Sequence, residues 1–315
     1  MEPIRLGVST CLLGEPVRFD GGHKLDRFVR DTLGRYVEFV PVCPEVECGL
    51  SIPREAMHLS GDPDAPRLVT VRTGKDLTDQ MRSWAAGRVG ELEGEQLCGF
   101  IFKSNSPSSG MERVKLHDAN HIPSPRGVGL FARAFMDHFP LLPVEEDGRL
   151  HDAGLRENFI ERIFIFKRWR EMLEEPRKLK HLVEFHSRHK LLVMAHSPKI
   201  LRDLGKLVAH AQELDASQFY GDYLKLLMEA LKLKRTVKKN SNVLQHMMGY
   251  FKKVLTPDEK QELLEVIGTY QNGHVPLIVP ITLINHYGRK YREPYLSVQF
   301  FLNPHPIELQ LLNHV

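Results

Sequence analysis

The residues best equipped for chemistry in this 315-residue chain are its four cysteines, Cys11, Cys43, Cys48 and Cys98, all in the first third. Thiolates are soft ligands that suit zinc and iron–sulfur clusters. Paired Cys-x-x-Cys spacings, the usual mark of a four-thiolate zinc site, do not occur, since four residues separate Cys43 from Cys48. Three convergent thiolates could instead hold a cubane cluster with one iron open to substrate. The plainer alternative is a set of small buried core cysteines. Glu45 follows Cys43 by two residues and has the chemistry of a general acid or base. Ser104, Ser106, Ser108 and Ser109 crowd one loop, where turn chemistry around Pro107 is the simpler explanation.

The elements around these residues decide which can meet. Ile4-Arg5-Leu6-Gly7-Val8-Ser9 reads as a buried strand that breaks at Thr10-Cys11, and Val37 to Val42 reads as a second strand ending at Cys43. A helix is expected over 24–33 and another over 76–93, the latter with Asp76 or Thr78 as its cap. Leu97 to Lys103 reads as a further strand that opens into the serine loop. Alternation of strands with helices predicts an α/β domain with a doubly wound, mainly parallel sheet, in which ligands bind beyond the carboxyl ends of the strands. Cys11, Cys43 and Cys48 fall at or just after such ends. Cys98 falls at an amino end, and a rise of about 3.3 Å per residue sets it roughly 15 Å from the serine loop.

From about Arg156 the pattern is helical to Tyr291, with Pro176 closing the first long helix. The expected organisation is therefore an α/β domain over 1–175 followed by an all-α domain over 176–315. The net charge is +3, unevenly divided: residues 171–315 hold 20 Lys and Arg against 15 Asp and Glu, leaving 23 against 25 in residues 1–170. A basic second half points weakly to an anionic partner. No stretch has signal-peptide character or approaches the ~20 apolar residues of a membrane span. A cytoplasmic, reducing setting is the expectation, which favours metal or catalytic cysteines over disulfides.

Ser9-Thr10-Cys11-Leu12-Leu13-Gly14, Val17-Arg18-Phe19-Asp20-Gly21, Pro41-Val42-Cys43-Pro44-Glu45, Gly49-Leu50 with Pro53-Arg54, and Lys103-Ser104-Asn105-Ser106-Pro107-Ser108 together resemble the TudS family of thiouracil desulfidases over about residues 4–140. The helical half resembles the domain that follows this one in RudS-type proteins, which remove sulfur from 4-thiouridine in transfer RNA (tRNA). The resemblance implies a [4Fe-4S] cluster held by three cysteines, with Cys11 and Cys43 at two ligand positions. In short family members the third ligand stands in a Ser-Pro-Ser-Cys-Gly loop, where this chain has Ser109. Cys48 is the substitute at the right end of the sheet, and Cys98 the less favoured one. On such a cluster Glu45 is expected to activate water, Ser106, which matches a serine of the family loop, to orient the base or donate a hydrogen bond, and Lys103 to stabilise developing negative charge, with Ser104, Ser108 and Ser109 lining the substrate.

An RNA substrate would require phosphate contacts. The candidates are Arg188 and Lys190, the run Lys232, Lys234, Arg235, Lys238 and Lys239, and, near the active site, Arg18, His23 and Lys24. Solvated helix faces would explain the same charges. Three other readings stay open: a desulfidase of free thiouracil or small thionucleosides, a non-catalytic iron–sulfur RNA sensor, and a zinc hydrolase with His23 as its one nearby hard ligand.

Overall fold

The protein is described by a computed structural model over residues 3–174, 179–213 and 215–314. It folds as two compact units, Met1–Leu155 and Arg156–Val315. The boundary expected after residue 175, with Pro176, lies outside the described residues. The observed division comes earlier because the long helix that the sequence assigned as a linker to the first domain packs as part of the second unit.

The first unit is built from β1 (Ile4–Ser9), β2 (Val37–Val42), α1 (Pro44–Glu47), β3 (Met57–Gly61), β4 (Pro66–Thr70), α2 (Thr78–Glu93), β5 (Phe100–Phe102), β6 (Val114–His117), β7 (Pro123–Gly127), α3 (Leu130–His138) and β8 (Val144–Glu146). One sheet has the order β2-β1-β5-β8 and is parallel throughout. Its central strand β1 is buried at every position but Arg5, as a strand covered on both faces must be. Gly7 is required there: a Cβ would lie 2.1 Å from Cδ2 of Phe100 on β5. Phe100, Phe102, Phe131 and Phe135 then pack in mutual ring contact with no exposed surface. Each stabilises the unit by about 1.5–3 kcal/mol.

A second sheet, β4-β3-β6-β7, is mixed. It was not expected, since its strands lack clean alternation and β7 carries Pro123 and Pro125. Those prolines are tolerated because β7 is an edge strand. The inner face of this sheet sets Leu59, Leu68, Val114 and Leu116 against Met81 of α2 and Leu130 of α3. Helix α2 buries Met81, Ala85, Val89 and Leu92 on one face, and Asp76 accepts its first N–H, from Thr78, at 2.9 Å. Two other expectations shrink. The helix expected over 24–33 is a π-helical turn at Phe28–Thr32 and a 3-10 turn at Leu33–Arg35, and the strand expected over 97–103 is three residues long.

The second unit is helical, as expected: α4 (Ala153–Glu174), which begins three residues before it, then α5 (Leu179–His196), α6 (Pro198–Ala209), α7 (Ala216–Lys232), α8 (Val237–Met248), α9 (Pro257–Gln271), α10 (Ile278–Lys290) and α11 (Pro294–Ser297). Trp169 of α4 stacks on Tyr223 of α7 at 5.4 Å. Thr256 and Glu259 close a capping box at the start of α9. No helix among the described residues is long and apolar enough to cross a membrane.

Candidate active site

Because Ser9 of β1 pairs with Val42 of β2 in parallel register, the chain leaves both strands at the same edge of the sheet. Cys11, Cys43 and Lys103 follow β1, β2 and β5 at that edge and line a cavity of about 410 Å³ with Glu45, Arg54 and the serine loop. This is the carboxyl edge where parallel sheets bind ligands, and the volume suits a small molecule.

Glu45 is held from both sides. Its Oε2 accepts from the Arg54 guanidinium, at 2.9 Å from Nε, and this ion pair is sequestered, with 6% of the Arg54 side chain exposed and 15% of Glu45. Its Oε1 accepts from the Ser108 hydroxyl at 2.9 Å. With the Ser108 proton committed to a carboxylate, the 3.0 Å contact between Ser108 and Ser106 has Ser106 as donor. The hydroxyls therefore form a directed chain from Ser106 through Ser108 to Glu45. The loop is rigid for a local reason. Ser108 O accepts the N–H groups of Phe131 and Ala132 at 3.0 and 3.2 Å, and Pro107 O that of Leu130 at 3.2 Å, so the loop satisfies first-turn donors of α3 that a helix cannot satisfy itself. Gly129 permits the approach, since a Cβ there would lie 2.5 Å from the Ser108 carbonyl carbon.

Lys103 differs from its expected role. Its ammonium has three hydrogens, and three acceptors surround it: Ser104 O at 3.2 Å, Ser104 Oγ at 2.8 Å and Asp147 Oδ2 at 2.8 Å. No donor is left for developing charge on a substrate, which corrects the assignment of Lys103 as an electrophilic stabiliser. Burial, the largest influence on Asp147, would raise its carboxyl, but hydrogen bonds from Lys103 and Ser104 together hold it below the usual value. What Lys103 does reach is Cys11. Burial pushes that thiol up to about 11, and the charges of Lys103 and Arg18 oppose the rise. Burial also raises Cys43, and burial with the nearby Glu45 charge pushes Cys48 up to about 11.

Residues 6–147 match the family model described as 2-thiouracil desulfurase, and residues 190–306 match one described as a protein of unknown function (DUF1722). The uncharacterized protein YbgA of Escherichia coli (strain K12) is 34% identical over 154 residues, which is 47% of this chain and 90% of that relative. The chain belongs to the YbgA family and carries a 2-thiouracil desulfurase domain. A solved structure of the [4Fe-4S]-dependent thiouracil desulfidase TudS is 28% identical, covering 48% of this chain and 95% of that one with a TM-score of 0.39.

In the desulfurase domain the cysteines separate. Cys11 and Cys43 line the cavity, and their chemistry fits a soft metal. Cys48 ends α1, packs partly buried against the core cluster with Met57 and Trp84, and points its Sγ at Glu45 O, 3.3 Å away. Both Cys11 and Cys48 feel the charge of Cys43. Among the described residues no three His, Cys, Asp or Glu side chains are gathered as a metal site, so the cavity wall supplies the right donor type and one thiol fewer than a three-cysteine cluster needs. Cys98 is buried before β5, where its N–H bonds Arg5 O at 2.8 Å, at the amino end as the spacing implied.

Ser104, Ser106, Ser108 and Ser109 all line the cavity, as do Arg18 and Lys24, whereas His23 is exposed outside it and accepts the Leu25 N–H at 3.2 Å. In the helical unit the structure corrects two RNA candidates. Arg235 is buried, ion-paired with Glu157 and, at 3.1 Å, with Glu161. Lys239 donates to His196 O at 2.8 Å at the end of α5. Both charges serve internal acceptors that exposed lysines would leave unmatched. Arg188 lies over the Phe300 ring at 4.8 Å, while Lys190, Lys232, Lys234 and Lys238 are exposed. Sequence reasoning missed Arg54 and Asp147 as site residues. Arg54 stands in one of the family motifs with no role attached to it, and Asp147 follows a three-residue strand too short to read.

Proposed function

We propose that the desulfurase domain replaces the sulfur of a thiolated pyrimidine by oxygen, with 4-thiouridine in tRNA as substrate and uridine and hydrogen sulfide as products. The observation that carries the reading is a cavity, in a domain of this family, that sets two thiols beside a carboxylate with a directed hydroxyl chain. Cys11 and Cys43 on the cavity wall would hold a [4Fe-4S] cluster, and Cys48, whose Sγ bonds Glu45 O in this structure, would have to turn from that carbonyl to serve as the third thiolate. When bound, the cluster supplies a Lewis-acidic iron with affinity for sulfur.

The protein's own groups account for the water half of the reaction. A water beside Glu45 gives its proton to the carboxylate, while Ser106, whose Oγ accepts the Ser108 and Ser109 N–H groups at 3.3 and 3.1 Å, donates to Ser108 and so fixes the Ser108 hydroxyl on Glu45 Oε1. The oxygen forms the new bond to carbon, the C–S bond breaks, and sulfur leaves as sulfide with no change of oxidation state. Arg54 keeps Glu45 in place and is a positioning residue. Lys103 and Arg18 favour the thiolate of Cys11. The exposed lysines of the helical unit are the phosphate contacts of the RNA reading.

The test is anaerobic iron and sulfide reconstitution followed by incubation with bulk tRNA, 4-thiouridine and 4-thiouracil, scoring thionucleoside loss and sulfide release. Loss of 4-thiouridine from tRNA, dependent on iron, is expected. Turnover of the free base alone moves the assignment to small thiolated compounds. Iron and sulfide content of Cys48→Ser and Cys98→Ser tests the third ligand: a deficit in the first and none in the second is expected.

A further inference from the structure

A cavity of about 680 Å³ lies in the helical unit, between α10, α11 and the segment 302–313. The residues of α10 that line it recur every three or four positions, from Ile278 and Ile281 through Asn285 and Gly288, as one face of a helix does. Ile281, Ile284, Leu296, Leu302, Leu311 and Leu312, all buried, give it an apolar lining. Among the described residues no Phe, Tyr or Trp lines it. The lining is therefore aliphatic, without the flat rings on which a base or another aromatic ligand stacks.

The charged groups gather at one end. At about 1.5 Å of rise per residue, Arg289 stands roughly 16 Å along α10 from Ile278, and Arg292 follows where the helix closes. The closure is a Schellman motif: the Glu293 N–H donates to Gly288 O at 2.9 Å and the Arg292 N–H to Arg289 O at 3.3 Å. Arg292 has the left-handed φ of 51° that this motif usually gives to glycine, whereas glycine stands at 288, inside the helix. Local helix energetics favour the reverse at both positions. At the cavity the exchange has a use. A Cβ at Gly288 would meet no atom within 4 Å, so the glycine leaves open space in the wall, and Arg292 adds a second guanidinium to the lining. Both guanidiniums are exposed and pair with no carboxylate among the described residues. Glu293, the one carboxylate lining the cavity among those residues, accepts the Tyr295 N–H at 3.2 Å. The Thr282 and Ser297 hydroxyls donate to Ile278 O and Pro294 O, each at 2.7 Å.

We propose that this cavity binds an aliphatic carboxylate, a medium-chain free fatty acid whose chain lies along Ile278 to Gly288 and whose carboxylate meets Arg289 and Arg292. A planar guanidinium takes a carboxylate through two parallel hydrogen bonds, and each methylene buried against the isoleucines and leucines adds to the affinity. Two guanidiniums and the Glu293 carboxylate leave one positive charge, which a monoanion neutralises. The volume is that of a small-molecule site. The inference concerns the helical unit alone and is independent of the desulfidase reading.

Titration calorimetry of the full chain with dodecanoate, dodecan-1-ol and dodecyltrimethylammonium, each below the concentration at which it aggregates, decides it. Dodecanoate should bind at one site, and the alcohol and the ammonium more weakly by about tenfold or more, the scale of a lost hydrogen bond to a charged group. The Arg289→Ala/Arg292→Ala double variant should lose a similar factor for dodecanoate and leave the alcohol unchanged. Gly288→Met fills the open space in the wall and should abolish dodecanoate binding. Its thermal midpoint should be no lower than that of the wild type, because methionine is the better helix former, so the loss of binding is separated from loss of fold. Equal affinity for the three head groups, dodecanoate binding untouched by both variants, or no binding of dodecanoate to the wild type overturns the site.

Discussion

Replacing Arg54 with Met tests whether the Glu45–Arg54 pair is the electrostatic anchor of the active site. The substitution keeps an unbranched side chain of similar length and removes the charge, leaving a carboxylate with 15% of its side chain exposed and Ser108 as its remaining partner. Breaking a buried pair from one side costs about 3–5 kcal/mol, and the residual exposure of Glu45 argues for the lower end, about 3 kcal/mol. With a urea dependence of roughly 2 kcal/mol per M, the midpoint should fall by about 1.5 M. The two tryptophans, Trp84 and Trp169, lie in different units, so Trp84 fluorescence in a Trp169→Phe background follows the desulfurase domain alone. Glu45→Met should cost a similar amount. The double variant should cost clearly less than the sum, because no charge is then left uncompensated, with a coupling of roughly 2–3 kcal/mol. A shift under about 0.5 M for Arg54→Met, or simple additivity in the cycle, would refute the reasoning.

Gly129→Ala forces a Cβ to within 2.5 Å of the Ser108 backbone, so it should destabilise the domain by about 1–3 kcal/mol and, by displacing Ser108 from Glu45, lower kcat more than it raises KM in steady-state assays. His305 is 7% exposed, and burial pushes its imidazole down to about 4. The folded state therefore binds fewer protons than the unfolded one between about pH 6.5 and 4, and up to about 3 kcal/mol of stability, present above that window, is lost as the pH falls through it. Urea midpoints followed by Trp169 should drop between pH 7 and 4.5, and by less in His305→Asn; parallel drops would remove His305 from the account. Lys103→Met should slow iodoacetamide labelling of Cys11 in the metal-free protein, because it deletes a charge that favours the thiolate; unchanged labelling would show that burial alone controls that sulfur. Lys232→Ala/Lys234→Ala/Lys238→Ala should weaken tRNA binding and flatten its salt dependence by up to about three phosphate contacts, read by filter binding across a salt series.

Much of the site was legible in the chain itself. The α/β-then-α order, the strands at Ile4–Ser9 and Val37–Val42, the family motifs and the placement of Cys11, Cys43 and the serine loop at strand ends all follow from local apolar runs and breaks. A buried parallel strand declares itself by continuous apolar residues, and its carboxyl end is a property of chain direction. Cys98 at an amino end is the same argument inverted. The mixed sheet was not legible because β3, β6 and β7 are short, half polar or proline-bearing, and they become strands only by pairing with segments distant in the chain.

Which partner each charge takes was likewise a matter for the tertiary structure. Lys103, Arg235 and Lys239 look alike in sequence to free cations, yet Asp147, Glu157, Glu161 and the end of α5 claim them. Residue type and spacing determine what a side chain can do. Only packing decides what surrounds it, because a charge in a low-dielectric interior must be matched by groups that chain order does not bring near.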